Sequence, residues 1–238
     1  IMQKIGISNG VACAFDVNST CLSFVTALET AANLIAAGKC KTALVFSAER
    51  ASCALPWKDK PETAALFGDG AAAVVITSGD ATSKSSILAT HMRTYPSAYE
   101  ASGIKAGGTR YNFMEQHDKF VQNSVFEMDG KELFRLTSQH FENFYRELLD
   151  LACWTSEDID LVVPHQASPV ALRHMIRQLG LPMNKVFNIS STHGNQIAAS
   201  IPISLDMARK NQQISSGSKV LLLGTSAGVS FGGMALVL

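Results

Sequence analysis

An excess of charge of either sign is missing from this chain of 238 residues, since 20 Lys and Arg are balanced by 20 Asp and Glu. That balance argues against a nucleic-acid face or an acidic interaction tail. Charged residues make up only 17% of the chain against 47% apolar ones, so a sizeable core is expected. No apolar run approaches the ~20 residues that a membrane helix needs, and no secretory leader is recognisable at the start. Cysteine is sparse: Cys13, Cys21, Cys40, Cys53 and Cys153 are odd in number and lack the Cys-x-x-Cys spacing of a metal site. These absences predict a reduced, cytoplasmic, globular protein with no membrane span. Its length suits one large domain or two small ones.

What is present is a repeated order of elements. Phe15-Asp16-Val17-Asn18-Ser19-Thr20-Cys21 matches Phe187-Asn188-Ile189-Ser190-Ser191-Thr192-His193-Gly194-Asn195. A helical stretch follows each, then an apolar strand (43–46 and 220–223), a Gly-rich turn (67–70 and 231–233) and a closing apolar run (71–76 and 234–238). The match divides the chain into residues 1–86 and 87–238. It sets Cys21 and the second-copy polar residues at related helix starts. If the halves were built alike, roughly 70–100 further residues would precede Ile1.

Between these landmarks, 14–17 reads as a short buried strand. A helix from Cys21 to Gly38, crowded with alanines, reads as packed on all sides. Residues 42–47 and 71–76 read as strands of a doubly covered sheet, and 78–86 as a polar connector. The second half gives strand 87–90, a loop-rich insertion over 91–126 and a strongly amphipathic helix over 131–153. Strand 160–163 and helix 170–179, opened by Pro169, come next. Strand 185–189, helix 201–211 and strands 219–223 and 230–238 complete an α/β pattern with a buried sheet.

Three residues carry candidate chemistry. Cys21 falls at a helix start, where backbone N–H groups and the macrodipole favour a thiolate nucleophile; the bland alternative is a small buried residue. His165 ends the apolar strand 160–163, the place where α/β sheets bind ligands, with a structural histidine as the alternative. Asn195 follows Gly194 and could equally be a helix cap. His193 reads as a turn-shaping residue, and His91, His117, His140 and His174 as packing or surface residues. Phe67-Gly68-Asp69-Gly70 leads into a strand rather than a helix, so it reads as a tight turn and not a phosphate loop. Ser226-Ala227-Gly228 could bring a backbone N–H to a substrate oxygen.

Taken together, Phe15 to Cys21, Leu66-Phe67-Gly68-Asp69-Gly70-Ala71-Ala72, Met128-Asp129-Gly130-Lys131, Val163-Pro164-His165-Gln166-Ala167 and Gly194-Asn195 with 198–202 resemble the thiolase superfamily. The likeness is greatest to its 3-ketoacyl-acyl-carrier-protein synthase III group. The resemblance implies a duplicated thiolase-like fold, layered α/β/α/β/α with the first half incomplete. Residues 1–86 would carry the nucleophile half, and 87–238 the half with His and Asn. It further implies that Cys21 is acylated by an acyl-CoA, and that His165 and Asn195 hold the carbonyl of a malonyl-acyl-carrier protein during decarboxylation. The backbone N–H groups of Cys21 and Ala227 would form the oxyanion hole. A homodimer is implied, and no metal or redox cofactor.

The chain departs from the family pattern at Leu22 and Ser23 after the cysteine, at Gln196-Ile197 after the asparagine, at Ala227 in place of a glycine, and at Val170 where a basic residue is usual. These bear on acyl-chain preference and carrier docking. Three alternatives stay open: an acyltransferase or thioester hydrolase without carbon–carbon bond formation, a head-to-head condensing enzyme of secondary metabolism, and a non-catalytic partner subunit.

Overall fold

Four strands form the central sheet in the order β3–β8–β7–β6, comprising β3 (Ser86–Thr94), β6 (Leu161–Pro164), β7 (Lys219–Ser226) and β8 (Ser230–Val237). The β3/β8 and β7/β8 pairs are antiparallel and β6/β7 is parallel. The structure is a computed structural model that describes residues 1–79 and 83–238, so the middle of the 78–86 connector lies outside the described residues. A second, two-stranded antiparallel sheet pairs β1 (Thr42–Glu49) with β2 (Gly70–Thr77), and a small ribbon pairs β4 (Ser102–Gly103) with β5 (Glu127–Met128).

Strand β7 shows how the layers arise. Val220, Leu221, Leu222 and Leu223 are all fully buried, and the pleat sends alternate side chains to opposite faces. Leu221 and Leu223 join Phe231 in a core with α4 (Gly130–Ala152) and α5 (Pro169–Gln178). Val220 and Leu222 join Met234 in a second core with α1 (Ser23–Ala36) and α7 (Ser200–Lys210), and that core continues to Val45 of β1. The order α4/α5, central sheet, α1/α7, second sheet gives four of the five layers of the expected α/β/α/β/α order, and residues before and after 86 share one core.

The helices form for local reasons. Helix α4 puts Phe141, Phe144, Tyr145, Leu148, Leu149 and Ala152 on one stripe. Its start is capped by Asp129, which accepts from the N–H groups of Lys131 and Glu132. Helix α5 has Ser168 as its cap and Pro169 in its first turn. Short helices α2 (Pro61–Ala64), α3 (His117–Gln122) and α6 (Ser190–His193) lie in the connections. None of the described helices is long and apolar enough to cross a membrane.

Several expectations need correction. Residues 14–17 form no strand, because no neighbouring ladder reaches them among the described residues, and Phe15 is exposed. The expected strand 185–189 shrinks to a single bridge between Val186 and Val162; Lys185 ends a 3-10 turn instead. Strands β1 and β2 are covered on one face only, leaving Leu44, Phe46 and Val75 open. Helix α1 likewise buries one stripe (Phe24, Val25, Leu28, Ala31), while Ala36 and Ala37 face outward.

Candidate active site

The residues around Cys21 and those after Asn195 build the same turn twice. The Asn18 side-chain oxygen accepts from the Thr20 N–H at 2.9 Å, and the Ser23 hydroxyl accepts from the Ser19 N–H at 2.9 Å. In the second copy Asn195 accepts from the Ile197 N–H at 2.8 Å, and Ser200 accepts from the Gln196 N–H at 3.0 Å. Thr20 and Ile197 both sit at φ 51°, a left-handed value rare outside glycine. Each begins a 3-10 turn, Thr20–Leu22 or Ile197–Ala199, that runs into α1 or α7. The structural partner of Cys21 is therefore Ala198, and that of Asn195 is Asn18. The sequence match over 15–21 and 187–195 pairs the two copies out of register, because it aligns the alternating apolar residues before each turn rather than the turn itself.

Cys21 follows this strained residue at the head of α1. The backbone N–H groups of Cys21 and Ala227 lie near enough to its sulfur to favour the thiolate. Burial outweighs them, and with the negative charge of Glu49 the thiol is pushed up to about 12. The helix start alone predicted a thiolate; the surroundings keep the resting residue a thiol. Thr20 Oγ1 also lies 3.5 Å from the Ala227 carbonyl, which ties the two loops together.

His165 leaves the end of β6 almost fully buried, with a backbone N–H donated to Leu223 at 2.8 Å. A Cβ on Gly224 would stand 2.7 Å from the His165 Cβ and 3.3 Å from Leu22 Cδ2. Gly224 thus lets the histidine and the residue after Cys21 close on one strand. Burial lowers the imidazole to about 4, while the Ile197 carbonyl beside it favours the protonated ring. At neutral pH the ring is uncharged with one N–H to donate, and its Nδ1 has no protein partner of hydrogen-bond geometry.

Asn195 is held from both sides. Its N–H donates to Leu66 at 2.7 Å, its carbonyl accepts from Gly68 at 3.0 Å, and its amide group reaches the Ala167 carbonyl at 3.4 Å. The 67–70 segment matters here as a close approach rather than a turn. A Cβ on Gly68 would fall 2.2 Å from the His193 carbonyl oxygen, and one on Gly194 would fall 2.9 Å from that of Leu66. Cys21, His165, Asn195 and the Ala227 loop therefore meet around the Ile197 turn. The remaining histidines do not: His91 stacks on Phe144 and bonds Glu147, His140 stacks on Tyr95, and His174 bonds Ser138.

Three adjoining residues were not among the candidates for chemistry. Gln166 is completely buried; its amide N–H donates to the Pro164 and Phe187 carbonyls and its oxygen accepts from the Ile189 N–H, fixing the end of β6. Ile197 supplies the carbonyl beside His165. Glu49 is the last residue of β1, and His165 directly follows the last residue of β6, so a polar residue after an apolar run was a usable signal.

Comparison with known proteins gives this geometry a context. Residues 15–96 match the family model for 3-oxoacyl-[acyl-carrier-protein (ACP)] synthase III, and residues 149–238 match the model for its C-terminal part. The beta-ketoacyl-[acyl-carrier-protein] synthase III of Neisseria gonorrhoeae is 35% identical over 241 residues, covering 99% of this chain and 70% of that protein. The crystal structure of the Aquifex aeolicus 3-oxoacyl-[acyl-carrier-protein] synthase III superposes with a TM-score of 0.84 at 33% identity, over 99% of this chain and 70% of that one. The Thermus thermophilus structure gives 0.86 at 26% identity, over 100% and 70%. With the layered α/β fold and the sequence likeness in agreement, the chain belongs to the 3-oxoacyl-acyl-carrier-protein synthase III family of thiolase-fold condensing enzymes.

Proposed function

We propose that the chain performs the family's decarboxylative condensation at Cys21, His165 and Asn195. An acyl-CoA and malonyl-acyl-carrier protein are the substrates, as the names and homology of its relatives support. The observation that carries the site assignment is the packing of the Cys21 turn against the Ala227 loop and, across Gly224, against the buried His165, with the buried Asn195 bonded to the adjoining Ile197 turn.

In the first half-reaction the Cys21 sulfur attacks the thioester carbonyl of acyl-CoA. The Cys21 and Ala227 N–H groups stabilise the tetrahedral oxyanion. Coenzyme A leaves with the thiol proton, and an acyl-Cys21 thioester remains. In the second, His165 and Asn195 donate to the malonyl thioester carbonyl. Loss of carbon dioxide places the electron pair in an enolate whose oxygen these two donors hold. The enolate carbon attacks the acyl-Cys21 carbonyl, and the collapsing intermediate expels the Cys21 thiolate, which regains a proton. The products are a 3-ketoacyl-carrier thioester, carbon dioxide and coenzyme A. No step transfers electrons to a redox cofactor or requires a metal.

A neutral His165 suits this scheme, because it donates a hydrogen bond without placing a full positive charge beside the substrate. The free thiol of Cys21 suits a reducing, cytoplasmic setting, and the family likeness implies a homodimer. Intact-protein mass spectrometry with a panel of acyl-CoAs, followed by malonyl-acyl-carrier protein, tests the reading. An acyl adduct at Cys21, absent from Cys21→Ala and discharged as a ketoacyl product, is expected. An adduct released only by water would overturn condensation in favour of hydrolysis.

A further inference from the structure

The two copies of the site turn are built alike except at one pair of side chains. In the register that pairs Asn18 with Asn195, Ser19 corresponds to Gln196 and Thr26 to Ile203. The Ser19 hydroxyl donates to Thr26 Oγ1 at 2.6 Å, so the first pair closes on its own helix α1. The second pair turns outward instead, onto Gly70, the first residue of β2. A Cβ on Gly70 would stand 2.7 Å from Ile203 Cδ1 and 3.0 Å from Gln196 Nε2, and one on Gly68 would stand 3.6 Å from Gln196 Cγ. The Gln196 side chain therefore lies along the 68–70 segment, in space that two glycines leave free.

The turn itself does not require this long side chain. Ser19 and Gln196 each give their backbone N–H to a serine at the helix start, Ser23 or Ser200, so a small residue builds the turn equally well. Nor does the amide oxygen account for the residue. Gln196 is 3% exposed, and its Oε1 has no hydrogen-bond partner among the described residues, which is unfavourable for a buried acceptor. What the side chain supplies is its shape against Gly68 and Gly70. That segment also carries Asn195, whose N–H donates to Leu66 and whose carbonyl accepts from Gly68. A bridge of two backbone bonds can pivot about its own axis. A side chain seated on the same segment one residue further along resists that pivot.

We propose that Gln196 is a positioning residue of the condensation step. Together with Ile203 it grips Gly70, and so fixes the direction in which Asn195 presents its amide. The inference deepens the reaction proposed above and rests on it.

The test compares Gln196→Ala and Gln196→Met in the full chain. Acylation of Cys21 by an acyl-CoA and malonyl-dependent product formation are measured separately, and hydrogen exchange of the Gly68 and Asn195 amides is followed without substrate. Alanine empties the seat on the glycines. Condensation kcat is expected to fall by about tenfold or more while acylation changes less than about threefold. The two amides are expected to exchange faster by about tenfold or more. Methionine keeps the length of glutamine without its amide, so Gln196→Met is expected to hold condensation within about threefold of wild type and to keep the slow exchange. Equal loss of both half-reactions or no loss in Gln196→Ala, unchanged exchange in that variant, or lost condensation in a folded Gln196→Met would each overturn the proposal. If the alanine variant does not fold, the methionine variant decides. Exchange needs no substrate, so it tests the grip even if wild type condenses nothing. That last result would instead refute the reaction.

Discussion

At the scale of single residues, the site joins two groups that burial keeps uncharged. His165 is held near 4 against an ordinary value of 6.5, so between those limits the unfolded chain binds a proton that the native ring refuses. Stability therefore rises with pH through that window, and acid costs the native state up to about 3 kcal/mol. Urea midpoints measured from about pH 7 down to 5 should fall in wild type and fall less in His165→Asn, which cannot titrate there. Substituting His165 or Asn195 by alanine should lower condensation by about 10²–10³ each while Cys21 acylation changes only a few-fold. Single-turnover assays that separate the half-reactions check this; an unchanged condensation rate would reject the donor roles. Cys21→Ala should abolish acyl capture altogether, and full labelling of that variant would refute the nucleophile.

At the scale of elements, the segment around Asn195 meets residues 66–68 backbone to backbone, at glycines. Gly68→Ala would drive a methyl group to within 2.2 Å of a backbone oxygen, where no rotamer can relieve the clash. We expect a loss of about 2 kcal/mol or more, with condensation failing before acylation because Asn195 is bonded to that segment. Thermal melts with paired half-reaction assays read both effects. The helices were largely legible: Asp129, Ser168 and Pro169 mark starts, and the Phe141 to Ala152 spacing marks a face. Strand 185–189 was not, because its apolar residues pack from a loop and bridge β6 only at Val186. The repeat was legible, but not its register. Asn18 and Asn195 play the same part through side-chain hydrogen bonds, and spacing alone does not reveal those.

At the scale of the whole molecule, β1–β2 leaves Leu44, Phe46 and Val75 open on the face where the implied five-layer fold has a further helical layer, so their exposure is no argument for a partner and the dimer is expected from the family likeness alone. A homodimer should be seen by sedimentation, whereas a monomer at every concentration would refute it. His165 stood out as a polar residue at the end of an apolar strand, whereas Cys21 and Asn195, each with an ordinary reading as a buried residue or a cap, became candidates only in combination and through the family likeness. The uncharged states of Cys21 and His165 could not be picked out, since desolvation depends on a core assembled from both ends of the chain. That same long reach has a kinetic side. The bond from Thr20 to Ala227 closes a loop spanning 207 positions, so the pocket around the sulfur forms only when the first and last parts of the chain have docked. During refolding, Cys21 should stay as reactive as an unstructured thiol until late, and the time at which it escapes a pulse of alkylating reagent would clock the closing of the fold.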